Sequence, residues 1–146
     1  MAPPKRGAGF TLIEVVLVTT LLGVLALMAF PRVERVLTRR DLAGARDGIH
    51  ALYHRARAAA IQARRPVTLS VDSVIVAATV ARRDGGREVV ATVPVGASFG
   101  VAASSSADSL TIQPTGLIAS GTPFTVWLRK AGQVDSVLIT GYGRIQ

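Results

Sequence analysis

The sequence has 146 residues, a formal net charge of +8 and no cysteine. A chain of this length has room for one domain with a modest core, and the lack of cysteine excludes a disulfide framework and a thiolate metal site. Apolar residues make up 49% of the sequence, which is high for a soluble domain, and much of the excess lies in one N-terminal segment.

The N-terminal segment begins with a short basic stretch and continues with a long apolar one. Residues 1–9 are polar, carry Lys5 and Arg6, and show no periodic pattern, which is typical of a leader. Residues 10–30 contain a single charge, Glu14. Since about 20 apolar residues in a helix span the ~30 Å hydrocarbon core of a bilayer, this segment is predicted to be a transmembrane helix.

A helical period continues beyond the apolar segment. Apolar residues spaced alternately by three and four form one stripe: Leu42, Ala45, Ile49, Leu52, Ala56 and Ala59. This narrow stripe of small side chains favours close packing against a sheet. Pro31 removes one backbone donor and Arg64-Arg65-Pro66 ends the pattern. We therefore predict one helix from about Phe10 to Ala63, bent near Pro31, with its first half in lipid.

Residues 66–146 favour β-structure, because segments rich in Val, Ile and Thr alternate with turn signals. Arg83–Gly86 is typical of a hairpin turn, and residues 96–108, which are small and polar, are predicted to form a mobile loop. The predicted fold class is α+β, a long N-terminal helix packed on an antiparallel β-sheet. The strands are predicted at Val67–Val71, Val74–Arg82, Glu88–Val95, Leu110–Gln113, Thr122–Arg129 and Val134–Thr140.

The stretch Gly9-Phe10-Thr11-Leu12-Ile13-Glu14, followed by unbroken apolar residues, resembles the signal of type IV prepilins and type II secretion pseudopilins. The resemblance implies that a membrane prepilin peptidase cleaves after Gly9 and methylates the new N-terminus, Phe10. A carboxylate in lipid costs on the order of 2.5–3.5 kcal/mol on insertion scales, so Glu14 needs a partner. In this family that partner is the N-terminus of a neighbouring subunit, and Gly23 and Pro31 match helix-loosening positions.

The C-terminal half has a strand that leads into Pro114-Thr115-Gly116, then a hairpin, and it closes with Gly143-Arg144-Ile145. This pattern resembles that of the GspH/FimT group of minor pilins. The resemblance implies a pilin-like fold, with residues 1–9 as the prepilin leader, residues 10–30 as the filament-core helix and residues 31–146 as a periplasmic domain. It also implies a single-pass inner-membrane subunit that assembles with other pilins or pseudopilins into a filament for protein secretion across the outer membrane. No enzymatic activity and no cofactor are predicted.

Two alternatives stay open. One is a type IV pilus minor pilin for adhesion, motility or DNA uptake, and the other is a membrane-anchored periplasmic binding domain that never polymerises.

The flanking charges argue against a periplasmic domain. Lys5 and Arg6 precede the predicted span, but five arginines follow it, and counting basic residues alone would place the C-terminal domain in the cytoplasm. We give the prepilin signal more weight because it is more specific. The five arginines are Arg32, Arg35, Arg39, Arg40 and Arg46.

Other candidate sites are weaker. His50 and His54 lie four residues apart with Asp47 one turn earlier, a spacing that can bind a metal, but there is no third strong ligand and no metal site is predicted. The arginines after the span favour anionic lipid headgroups, at about 1 kcal/mol per charge. DNA is a disfavoured partner, since the C-terminal tail has one arginine, Arg144, and one charge displaces few counterions.

Overall fold

The computed structural model describes residues 10–81 and 85–146. Gly9 and the first half of the predicted hairpin turn at Arg83–Gly86 lie outside the described residues. The chain divides into two compact units, Met1–Leu37 and Thr38–Gln146. In chain order the elements are α1 (Leu12–Ala63), β1 (Val67–Val71), β2 (Val76–Ala81), β3 (Arg87–Val93), α2 (Val95–Phe99), β4 (Ala102–Ser105), β5 (Ser109–Ile112), β6 (Phe124–Lys130) and β7 (Gln133–Ile139).

The first unit contains the beginning of α1, whose backbone is helical from Leu12 and through position 31. Every large apolar side chain that the structure describes between Phe10 and Leu37 is exposed. Among the described residues, no helix combines the length and the apolarity needed to cross a membrane. The span over residues 10–30 and the bend near Pro31 stay predictions.

The second unit contains two antiparallel sheets, with strand orders β3-β2-β1-β5 and β4-β6-β7. The predicted α+β fold is confirmed, although the strands divide between two sheets where the sequence suggested one. In the first sheet Leu69 of β1 lies opposite Ala78 of β2 and Leu110 of β5. In the second, β6 and β7 join through Ala131 and Gly132, which have φ values of 47° and 76°. Positive φ at both central residues is typical of a tight hairpin turn that matches the strand twist.

The prediction of a mobile loop over residues 96–108 is wrong. This segment contains most of α2, which ends at Gly100 in the left-handed conformation, and all of β4. Val101 and Ala103 are buried, as is Val95 just before the segment. The small side chains gave no strong period, but their packing against the core decides the local structure, since strand formation depends on the neighbours that a residue meets.

The core lies between α1 and the two sheets. The predicted helix stripe is confirmed, because its members from Leu42 to Ala56 are buried and Ala59 is partly buried against them. Tyr53 and Ala60 are buried as well, so the buried face is wider than the stripe. The facing side chains from the sheets include Leu69, Ile112, Phe124, Val126, Leu128, Val137 and Ile139.

Two glycines on α1 allow its neighbours to approach closely. A methyl group at position 44 would lie 2.7 Å from Cε1 of Phe99, and one at position 48 would lie 3.1 Å from Cγ1 of Val93. Glycine inside a helix costs about 1 kcal/mol relative to alanine. Here it lets α2 and the end of β3 lie against the helix backbone, so Gly44 and Gly48 serve packing.

Candidate functional site

Two of the predicted site residues lie at the start of α1, with Phe10 two residues before the helix and Glu14 in its first turn. Thr11 precedes the helix, and the backbone N–H of Glu14 donates to Oγ1 of Thr11 at 3.3 Å. Thr-x-x-Glu is the sequence pattern of a capping box, and a carboxylate in the first turn is favourable to the helix dipole. Sequence reasoning missed Thr11, although this pattern was the signal that identifies it.

Phe10 and Glu14 lie on the same face of the first unit. Together with Val15, Val18 and Thr19 they border a shallow apolar depression. Within residues 10–81 and 85–146, no cation pairs with the carboxylate of Glu14. The structure thus brings together the predicted new N-terminal residue and the predicted assembly carboxylate.

Two threonines within the apolar run satisfy their hydroxyl groups on the helix backbone. The hydroxyl of Thr19 donates to the carbonyl of Val15 at 2.9 Å, and that of Thr20 donates to the carbonyl of Val16 at 2.6 Å. A methyl group at position 23 would meet no described group within 4 Å beyond the local helix backbone, so packing within the chain does not require Gly23. The helix-loosening roles of Gly23 and Pro31, and the cleavage and methylation at Gly9 and Phe10, stay predictions.

A second constellation lies where the C-terminal turns meet α1. The hydroxyl of Tyr53 donates to the carbonyl oxygen of Gly143 at 3.0 Å, and Nη1 of Arg57 donates to the same oxygen at 3.4 Å. Tyr53 is fully buried. Burial raises the pKa of its hydroxyl, and the nearby Arg57 opposes part of that rise. The phenol therefore acts here as a neutral hydrogen-bond donor that ties the C-terminal segment to the helix.

Gly143 can be replaced by no other residue without strain. Its φ is +77°, and a methyl group there would lie 3.0 Å from the hydroxyl oxygen of Tyr53 and 3.1 Å from the carbonyl oxygen of Gly116. The Pro-x-Gly turn and the Gly-Arg-Ile ending, two separate patterns in the sequence, thus meet beside Arg57 of α1. Sequence reasoning found both patterns but missed Tyr53, because Tyr53 is off the apolar stripe.

The chain ends on the second sheet. Leu138 of β7 and Gln146 exchange two backbone hydrogen bonds, at 3.0 and 2.9 Å, and Ile145 forms an antiparallel bridge with Ile139. The tail therefore extends the sheet beside β7 and holds the turn of residues 140–143 in place.

Two ion pairs connect α1 to the second sheet. Nζ of Lys130 lies 2.7 Å from Oδ2 of Asp41 and also donates to the carbonyl of Phe99. In the second pair, Nη1 of Arg46 lies 3.6 Å from Oδ1 of Asp135. Partly exposed pairs of this kind contribute about 0–1 kcal/mol. Arg46 is therefore paired within the fold. The sequence predicted that it contacts lipid headgroups together with the other four arginines after the span.

The histidine pair has no metal-binding geometry in the described part of the chain, where no three His, Asp or Glu side chains form a group that could hold an ion. Nε2 of His50 is buried and has no hydrogen-bond partner among the described residues, whereas His54 is exposed. Burial lowers the pKa of His50, and the charge of Arg46 lowers it further while Asp47 opposes the change.

Comparisons with known proteins agree with this arrangement. The prokaryotic N-terminal methylation motif matches residues 4–30, and the type II transport protein GspH matches residues 45–143. No curated protein matches the sequence significantly.

Two solved structures share the fold at low sequence identity. The type IV minor pilin FimU of Pseudomonas aeruginosa is similar with a TM-score of 0.62 and 18% identity, over 74% of this chain and 88% of that one. The minor pseudopilin EpsH of the Vibrio cholerae type 2 secretion system is similar with a TM-score of 0.54 and 16% identity, over 70% of this chain and 94% of that one. Because the GspH model matches well over half of the sequence, the chain belongs to the GspH family of type II transport proteins.

Proposed function

We propose that the protein is a minor pseudopilin, a subunit that enters a type II secretion filament and supports protein secretion across the outer membrane. Membership of the GspH family and the N-terminal methylation motif support this function. The fold shared with a minor pilin and a minor pseudopilin is consistent with either kind of filament.

The observation that carries the proposal is the exposed apolar surface of residues 10–37. Exposed apolar patches larger than a few hundred Å² mark membrane or protein interaction sites, and here exposed apolar side chains lie on every face of the helix between Leu12 and Leu27. Lipid covers this surface before assembly in our proposal, and the helices of neighbouring subunits cover it afterwards. The chain is then a single-pass inner-membrane protein with residues 31–146 in the periplasm.

Processing comes before assembly in this proposal. The prepilin peptidase cleaves after Gly9 and methylates Phe10, and the match to the methylation motif over residues 4–30 supports both steps. Because Phe10 and Glu14 border the same depression, the new ammonium group of one subunit and the carboxylate of the next can pair within an apolar layer. Such a pair fixes the stagger between subunits.

A type IV pilus subunit is the second candidate function. The TM-score for the minor pilin FimU is higher than that for the pseudopilin EpsH, and this favours a pilus as the alternative machine. A membrane-anchored domain that never polymerises is the alternative from another class of protein.

Replacing Glu14 by Leu separates a filament subunit from an anchor. In a single chain in lipid the change removes a costly carboxylate, so insertion and cleavage after Gly9 should be unchanged. In a filament it leaves the neighbouring ammonium group buried and unpaired, a loss of about 3–5 kcal/mol for such pairs. We expect recruitment into sheared filaments to fall at least about a hundredfold.

The matched control is Thr19→Val, which removes another polar group from the same depression. Since the Thr19 hydroxyl is satisfied within the helix, this variant should assemble normally. Mass spectrometry of both membrane proteins should show loss of residues 1–9 and one methyl group on Phe10. Normal recruitment of the Glu14 variant would leave the anchored, non-polymerising domain as the better function.

A further inference from the structure

We propose that a surface at the C-terminal turns binds an acidic surface of a different protein subunit. We call it the two-turn surface and define it by Arg57, Ile61, Leu117, Tyr142 and Arg144. The inference rests on the proposed filament function and adds to it the docking site and the chemistry of the partner.

The two-turn surface is built by two β-turns that lie side by side. The N–H of Gly116 donates to the carbonyl of Gln113 at 2.8 Å, and the N–H of Gly143 donates to the carbonyl of Thr140 at 2.8 Å. The turns touch, since a methyl group at position 143 would lie 3.1 Å from the carbonyl oxygen of Gly116. Tyr53 and the paired C-terminal tail hold the second turn, so this surface is formed before any partner arrives.

Each component of this surface presents an apolar side chain to solvent. Tyr142, in the second turn, is 85% exposed, and Leu117 follows the first turn with about half of its surface exposed. Ile61 is similarly exposed, and its Cδ1 would lie 3.3 Å from a methyl group at position 116. Tyrosine and arginine are enriched among the residues that dominate binding energy at protein interfaces. Because the turns are already ordered, docking here loses little conformational entropy.

The charges of this surface indicate what covers it. Nη1 of Arg57 is held by the carbonyl of Gly143, and Arg144, the next residue along the chain, is exposed. Within the described residues, neither arginine pairs with a carboxylate. The chain has a net charge of +8, so two copies repel each other on balance and a partner of net negative charge is favoured. A carboxylate-bearing partner is complementary, and such complementarity sets specificity and register.

A protein fits the two-turn surface better than a nucleic acid does. Two arginines neutralise few phosphates and release few counterions. Three exposed apolar side chains around them match the apolar centre and polar rim of a protein interface.

The test places a photocrosslinking amino acid at position 142 of the full-length protein in its native cells, with position 134 as the control. Val134 is also exposed but lies on the β6–β7 hairpin. After irradiation, mass spectrometry should identify at position 142 a second prepilin-type protein with a net negative charge. Arg144→Glu should reduce that product about tenfold, and Arg144→Gln by less. Arg129→Glu, which reverses an exposed arginine on β6, should leave the product unchanged.

Each other outcome overturns the inference in a recognisable way. A product that contains a second copy of this chain, or equal losses for Arg129→Glu and Arg144→Glu, would exclude an acidic partner at this surface. The product could instead contain nucleic acid, and the detergent-solubilised chain could bind fluorescent single-stranded DNA while the Arg144→Glu variant does not. That result would show that the partner is a nucleic acid and not a protein. No product from a chain present in sheared filaments would refute the surface alone. Absence of the chain from filaments would refute the proposed function as well.

Discussion

Residues 10–37 and residues 38–146 place their apolar side chains in opposite environments. Leu17 and Leu25 in the first unit are more than half exposed, whereas Ile49 and Leu69 in the second are completely buried. Within the described residues, two sheets cover the helix face of the second unit, and nothing covers the first. Apolar character therefore serves folding in one region and, in our proposal, interaction with lipid and other subunits in the other. The two roles can be separated by mutation.

The largest expected effect is from Ile49→Asp. Ile49 is completely buried between α1 and the sheets, so the variant buries a charge without a partner. A loss of about 3–5 kcal/mol is comparable to the whole stability of a small domain. We expect no cooperative thermal transition for the detergent-solubilised full chain, followed by near-ultraviolet circular dichroism.

The contrast to this change is Leu17→Asp in the first unit. Leu17 is exposed, so the thermal transition of the second unit should be unchanged while membrane insertion or filament recruitment is lost. A shifted transition for Leu17→Asp would contradict the separation of roles, as would a normal transition for Ile49→Asp.

An intermediate effect is expected from Gly143→Ala, which tests the connection between the C-terminal turns and α1. Gly85 provides the matched control, because both glycines have positive φ but a methyl group at position 85 would meet no described group within 4 Å. The free energy of unfolding should fall by about 1–2 kcal/mol in both variants, because alanine is strained in the left-handed conformation. Gly143→Ala should lose more, because its methyl group also displaces the Tyr53 hydroxyl. Equal urea midpoints for the two variants would show that the Tyr53 contact contributes nothing.

The smallest effect is a pH dependence carried by His50. Since burial lowers the pKa of His50 in the folded state, the unfolded chain takes up a proton more readily. Stability should therefore fall as the pH drops below about 6.5 and level off below the folded pKa. Replacing His50 by Gln should reduce the difference between urea midpoints at pH about 8 and about 5. His54→Gln should reduce that difference by less, because the charge of His54 is the smallest of the effects that lower the pKa of His50.

Much of the fold could be predicted from local pattern. The helix end at Ala63 and the strand Val67–Val71 agree with the structure, because Arg64-Arg65-Pro66 is a strong break and the strand is rich in Val, Thr and Leu. The predictions at β5, β6 and β7 differ from the structure by a residue or two at their ends. The segment 96–108 was missed, because its small residues become ordered only through contact with the core.

The candidate site likewise contains one contact that local sequence predicts and another that it does not. Thr11 and Glu14 are close in sequence, so their contact follows from the first turn of a helix. Tyr53 and Gly143 are 90 residues apart, and no local period indicates that they touch. The surface around Tyr142 could not be predicted for the same reason.

The sequence by itself determined the features that depend on near neighbours, namely the long helix, its apolar first half, the processing motif and most strands. Those features depend on backbone propensity and on side chains a few residues apart. The tertiary structure alone decided the division into two sheets, the burial of Tyr53 and the meeting of the two glycine turns. These depend on contacts between distant segments, where side chains far apart in sequence compete for the same volume in a closely packed core.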